Sequence, residues 1–392
     1  MRSPNLVPLL VVACALEPRD SGVKPLAVIP IVHERLVRLP ASVAGSAPFQ
    51  VVLDTGMPTR GLALYRSERV DALGLRFQDE QILAGAGGSG AAVTARVAEP
   101  TRVRFGDFAI DDVTVIVLPK PRGFAAAGEG IVGGELFERF AVRVDVDALR
   151  LELFESKTFA PEPGSAGVPL RLEDGIAFLD ARVAVGAGQP GPAELAIDLG
   201  ASHALWLNGR SDGRLAAPES SIASRLGRGL SGEIEGRVGR VRKLELGSSA
   251  LEDVVAVFPR KEHQRPGGHD FRDGFVGADA LTRFHVTFDY AHERMWLAPG
   301  NRLAEPFEHD MTGLVLDPDD VGQVVRAVLP GTPAAEAGVL AGDRLVAVDG
   351  RNLDPVAPWL SRTFRVDGAE LRLTLRRGDE TIEKRVRLRR LV

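Results

Sequence analysis

The 392-residue chain has a single cysteine, Cys14. No disulfide can close within it, and no metal centre built on several thiolates can form. It has no basic excess: 48 Lys and Arg stand against 53 Asp and Glu, a formal charge of −5. That excludes a nucleic-acid footprint, which shows as a basic domain or stripe. No apolar run reaches the roughly 18 residues of a membrane span. There is no G-x-S-x-G nucleophile elbow and no Walker A phosphate loop. What is present is a chain 45% hydrophobic, enough for packed cores, and long enough for two or three domains of about 150 residues. The 43 glycines and 26 prolines make about 18% of the chain, against roughly 12% in average usage. So many turn formers, with few long apolar periodic segments, point to β structure.

At the N-terminus, Arg2 precedes an apolar stretch over residues 6–16, interrupted by Pro8. It reads as a short secretory signal. Within it, Val11-Val12-Ala13-Cys14 resembles a bacterial lipoprotein cleavage box. That resemblance implies a lipidated Cys14, membrane attachment through it, and an exported protein of the periplasm or outer membrane. Residues 1–23 are assigned to this signal or lipoprotein-like segment.

The chain repeats itself once. Asp54-Thr55-Gly56 follows Val51-Val52-Leu53, and Asp198-Leu199-Gly200 follows Leu195-Ala196-Ile197, 144 residues later. Ile131-Val132-Gly133 returns as Phe275-Val276-Gly277, and Val142-Arg143-Val144-Asp145 as Val286-Thr287-Phe288-Asp289, at the same spacing. One offset shared by three features is the mark of two homologous lobes; it is too long for a solenoid repeat. Residues 24–155 form the first lobe and 168–297 the second. Each closes with an alternating hairpin, over residues 143–154 and 286–297. The Pro-containing stretch 156–167 joins them, and 298–310 is a second linker.

From Met311 the character changes. Thr312-Gly313-Leu314-Val315-Leu316 is followed by Pro330-Gly331-Thr332-Pro333-Ala334-Ala335-Glu336-Ala337-Gly338 and by Ala341-Gly342-Asp343-Arg344-Leu345-Val346-Ala347-Val348-Asp349-Gly350. These strings closely resemble a bacterial PDZ domain, a small β-barrel with short helices, over residues 311–392. The resemblance implies a peptide ligand added as a strand beside Leu314, Val315 and Leu316, with amides near Gly313 receiving its terminal carboxylate. Residues 355–364 would form the opposite groove wall. The basic stretch 376–390, with Glu380 and Glu383 and alternating Ile382, Val386 and Leu388, reads as an edge strand with a charged face.

A carboxylate at the end of an apolar strand, followed by a small hydroxyl residue and glycine, has a physical logic. The strand is a rigid base, and the glycine permits a tight turn and close backbone approach. Two such loops meeting at a pseudo-twofold axis set two carboxylates side by side. Charges that close share one proton. One Asp then acts as general base on water while the other donates to the substrate carbonyl.

Asp54-Thr55-Gly56, the runs ending in Gly133 and Gly277, and the closing hairpin with Phe288-Asp289-Tyr290-Ala291-His292-Glu293-Arg294-Met295-Trp296-Leu297 together resemble aspartic peptidases. Compact lobes with simple hairpins resemble the retropepsin-like bacterial branch, over roughly residues 24–300. The resemblance implies two all-β, barrel-like lobes with catalytic Asp54 and Asp198. Thr55, Gly56 and Gly200, with Gly133 and Gly277, would shape the turns. No metal and no cofactor are implied, and two lobes in one chain need no dimer. The substrate would be a peptide or protein. The family also implies a flexible flap, and Gly87, Gly88, Ser89 and Gly90 fit its tip. Residues 227–239 are Gly-rich at nearly the same offset. Residues 85–90 also match G-x-G-x-x-G, but a strand rather than a helix is expected next, which rejects dinucleotide binding.

The departures are specific. The second motif is Asp-Leu-Gly, and Leu199 has no hydroxyl to brace the pair across the axis. Met57 follows Gly56 where a smaller residue is commoner. These features favour a rival reading, an inactive protease-like scaffold serving as a PDZ peptide-binding adaptor. His263, His269 and Asp270 read as a solvated loop rather than a metal site. His203 reads as a structural or cleft-edge histidine.

Overall fold

The computed structural model describes residues 22–57, 59–84, 92–120, 128–209, 213–229, 232–264, 271–318, 323–353, 357 and 359–392. Cys14, the Gly87 to Gly90 tip, His269, Asp270 and Pro355 lie outside them. No helix among the described residues is long and apolar enough to cross a membrane.

The continuous apolar runs become central strands, as strands covered on both faces require. In the first lobe, Phe49–Leu53 runs parallel to Gly130–Val132, which is antiparallel to Leu62–Tyr65, which is parallel to Val115–Leu118. In the second, Gly191–Asp198 runs parallel to Gly274–Gly277, which is antiparallel to Leu205–Leu207, which is parallel to Ser249–Pro259. The same three relations occur twice, so the sequence repeat is a structural repeat. Each lobe also carries a long hairpin. Phe77–Ala84 pairs with Ala92–Ala98 in the first lobe. Ile222–Gly229 pairs with Gly232–Leu246 in the second. The first hairpin joins its lobe through Ala92–Ala98, which pairs with Val115–Leu118, and its outer strand leaves Ile82 77% exposed.

The lobes join through a six-stranded antiparallel sheet. Its order is Ala27–Pro30, Arg150–Phe154, Ala141–Asp145, Phe284–Asp289, Arg294–Pro299 and Ala166–Pro169. The central pair aligns Arg143 with Thr287, residues related by the repeat spacing, so the pseudo-twofold axis passes between them. The Arg143 guanidinium is buried there, bonded to Glu152 and Glu162 at 3.0 and 3.1 Å. Two expected boundaries shift. Ala166–Pro169, expected to begin within the linker 156–167, pairs with Arg294–Pro299, because the closing hairpin presents a free edge that the chain fills. Pairing of Pro299 with Phe284 extends the second closing strand two residues into the expected second linker.

The C-terminal domain is a sheet in the order Leu314–Pro318, Gln323–Val328, Arg344–Val348, Glu370–Arg377, Glu380–Arg387. It has its own apolar cluster, including Met311, Leu345, Leu360 and Phe364. The charged stretch is divided: Glu370–Arg377 is internal and Glu380–Arg387 is the edge strand. The domain docks on the second lobe. Arg240 bonds Glu308 at 3.1 Å and the Val392 carbonyl at 2.9 Å.

Phe288 lies fully buried in the shared sheet, edge-on to Phe137 with ring centroids 5.4 Å apart. Phe288→Ala leaves a cavity between the lobes and is expected to cost about 3–5 kcal/mol, read from urea unfolding. A loss below about 1 kcal/mol would show that the shared sheet does not hold the lobes together.

Candidate active site

Asp54 and Asp198 each follow a central strand at its C-terminal end, where the chain must turn. Asp54 N donates to Val132 O at 2.9 Å, tying the turn to the parallel neighbour. Gly56 N donates to Asp54 Oδ1 at 2.8 Å. In the second lobe Ala201 N donates to Asp198 Oδ1 at 3.0 Å. The strand ends Gly133 and Gly277 lie directly beneath these turns. A Cβ on Gly133 would overlap the Asp54 and Met57 carbonyls, and one on Gly277 the His203 carbonyl.

The two loops interlock. A Cβ on Gly56 would come within 2.9 Å of the Asp198 carboxyl carbon, and one on Gly200 would overlap the Asp54 carboxyl group. Each carboxylate therefore lies against the opposite loop's glycine, and only glycine leaves that room. The two carboxyl groups therefore face each other across the axis, close enough for the charge of one to act on the other. Burial pushes both above the ordinary carboxylate range. Asp198 is pushed further, because the Asp54 charge adds to its burial. Two carboxyl groups this close favour holding one proton between them, and their protonation steps belong to the pair rather than to either residue.

Thr55 braces the pair alone. Its hydroxyl donates to Ile197 O at 3.0 Å and accepts from Leu199 N at 2.9 Å. Leu199 turns its side chain into the main core, fully buried, and supplies only its backbone amide to the axis. The support is thus one-sided, as the motif implied. The departure at Met57 has a packing reason. Its side chain lies against a small cluster of Ala63, Tyr65, Ala95, Ile116 and Leu118 beneath the first hairpin.

Sequence reasoning missed Tyr290. It stacks on Phe137 at 5.5 Å, and burial and then the Asp54 charge push its phenol well above its usual range. Its position in the second closing hairpin was the only sequence signal. His203 lies beside Trp206. Burial, with the positive charges of Arg35, His309 and Arg365, brings it down to about 3, so it is neutral where the carboxyl pair would work. His263 bonds Glu235 N through Nδ1 at 3.1 Å, in a short 3-10 turn.

Asp145, Asp147 and His285 bring ligand atoms within 4.8 Å of one another. These atoms are occupied: Asp145 accepts from Ala148 N, Asp147 from Asn301 N, and His285 Nε2 lies 2.9 Å from Asp147. Asp145 and His285 lie on the two central strands of the shared sheet, and the group is not part of the carboxyl pair.

Residues 39–136 match the family model described as aspartyl protease, and residues 324–377 that of a PDZ domain. Among solved structures, the aspartic proteinase from Irpex lacteus is similar at 11% identity, covering 71% of this chain and 98% of that chain with a TM-score of 0.47. By the two family models, the chain carries an aspartyl protease-like domain followed by a PDZ domain.

Two outcomes are expected at this site. Thr55→Val removes the one hydroxyl on the axis and should cost about 1–3 kcal/mol for each buried backbone group left unpaired, measured by thermal unfolding. Second, the raised Asp198 carboxyl contributes stability that is complete below about pH 4 and lost as pH rises through its native value. Asp198→Asn removes that dependence, so its Tm should gain on the parent's from about pH 4 upward. A constant difference between pH 3 and 7 would show that no raised carboxyl is present.

Proposed function

We propose that the chain is an aspartic endopeptidase acting through Asp54 and Asp198, with the PDZ domain recruiting peptide or gating access. The observation that carries this reading is the interlocked carboxyl pair, each carboxylate set against the opposite loop's glycine. A peptide bond in the cleft meets an ionised Asp54 and a protonated Asp198. Asp54 takes a proton from water as the water oxygen attacks the carbonyl carbon, and Asp198 gives its proton to the carbonyl oxygen. The proton on Asp54 then passes to the amide nitrogen as the C–N bond breaks. Asp198 recovers its proton from the diol as the carboxylic acid forms. The carboxyl groups end as they began, with no metal or cofactor in the cycle. Thr55 and the four glycines of the turns hold the geometry.

Both lobes lie in one chain, so a monomer is sufficient in this scheme. The two long hairpins occupy equivalent places in the repeat and in this scheme would cover substrate. Leu199 is the observation favouring the rival reading, a protease-like scaffold serving as a peptide-binding adaptor. The answer to it is that Thr55 supplies both hydrogen bonds on the axis.

Peptide-library cleavage by the protein lacking residues 1–23, from acid to neutral pH, tests the proposal. The parent should cut, with Asp54→Asn and Asp198→Asn each slowed about 10²–10⁴-fold. Activity should fall as pH rises past the range in which Asp198 keeps its proton. A parent that never cuts, or either variant at full activity, would refute the dyad and leave the adaptor reading.

A further inference from the structure

Among the described residues, the strand Leu314–Pro318 is the edge of the PDZ sheet, paired only with Gln323–Val328. A ligand peptide added there needs the backbone groups on its outer side, and a terminal carboxylate needs the amides just before it. Members of both sets are already engaged. Asp310 Oδ1 accepts from Thr312 N at 2.8 Å and from Gly313 N at 3.3 Å. Leu314 N donates to Thr312 Oγ1 at 3.0 Å. Gly313 has a φ of +78° and no room for a Cβ beside Thr332, so the turn that gathers these amides is built for glycine. A carboxylate of the chain itself sits where a peptide's terminal carboxylate would go.

The edge is occupied from the second lobe. Arg225 donates from Nη2 to Leu316 O at 2.6 Å and pairs with Asp317 through Nη1. Asp317 is also held by Arg326 at 2.7 Å. Arg225 belongs to Ile222–Gly229, one arm of the second-lobe hairpin. The adjoining backbone at Leu226 and Gly227 lies against His203, five residues beyond Asp198. One guanidinium thus links the PDZ edge to a hairpin reaching the loop of the carboxyl pair.

We propose that the PDZ groove is held shut by Arg225 and Asp310, and that a polypeptide C-terminus opens it by displacing both, releasing the second-lobe hairpin. The ligand class follows from the groups displaced. It has a free terminal carboxylate to replace that of Asp310 and an extended backbone whose N–H replaces Arg225 at Leu316 O. It also has an apolar end to meet Leu314 and Leu316, which belong to the apolar cluster of the domain. An opening step ahead of binding weakens the apparent affinity by the fraction of molecules open. Regulation of cleavage by this route rests on the endopeptidase reading; closure of the groove does not.

The test measures binding rather than cleavage, so the two readings fail separately. A fluorescent peptide library ending in Val, Leu or Ile with a free carboxylate is titrated by polarisation against the Asp54→Asn chain lacking residues 1–23. The same peptides with C-terminal amides serve as controls. Adding Arg225→Ala, or separately Asp310→Ala, is expected to tighten carboxylate binding about tenfold or more. Arg240→Ala, which loosens the domain contact away from the edge, should leave affinity unchanged. Hydrogen exchange over residues 222–229 should quicken on peptide addition. Equal affinity in parent and both variants overturns the proposal, as does equal gain from Arg240→Ala, binding of the amides, or no binding by either opened variant.

Discussion

Everything at the centre of this molecule follows from one close approach. Two strand-end loops meet across a pseudo-twofold axis so tightly that each carboxylate rests on the other's glycine. The same axis runs between Arg143 and Thr287 in the shared sheet and between Thr55 and Leu199 at the pair. Residues 144 apart face each other at both ends. The six-stranded sheet therefore does more than connect the lobes. It fixes the separation at which two carboxyl groups meet, denied full solvation.

Divergence between the lobes is confined to places the axis tolerates. Thr55 makes two hydrogen bonds to the second loop, so position 199 needs only its amide there, and a leucine side chain is free to serve the core. The second lobe carries a larger outer apolar cluster, including Phe178, Trp206, Leu226 and Phe275, against which Val392 packs. The corresponding first-lobe cluster is small. The lobe with the larger cluster also receives the PDZ domain, and its hairpin holds the contact through Arg225.

Much of this was legible in the sequence because a repeat is a global signal that local ambiguity does not erase. The offset of 144 exposed the two lobes, both aspartates, the glycines beneath them and both closing hairpins. Leu199 announced the one-sided brace, since a missing hydroxyl is visible without coordinates. Contacts between distant segments were not legible. Nothing near Arg225 distinguishes it from other arginines, and its meaning depends on Leu316, 91 residues away. Asp310 read as linker because a capping carboxylate resembles any turn Asp. Ala166–Pro169 was divided between linker and lobe because an edge strand filling a free position leaves little alternation to read. Tyr290 reads as part of a hairpin until packing brings it near Asp54.

The central claim is that Asp54 and Asp198 hold one proton between them. The direct measurement is a carbon-detected NMR titration of the protein labelled at aspartate carboxyl carbons, with Asp54→Asn and Asp198→Asn spectra for assignment. The account predicts two apparent transitions belonging to the pair, one of them well above the ordinary carboxylate range, and its collapse to a single transition in either variant. Two independent transitions near the ordinary aspartate value of about 3.9 would contradict it.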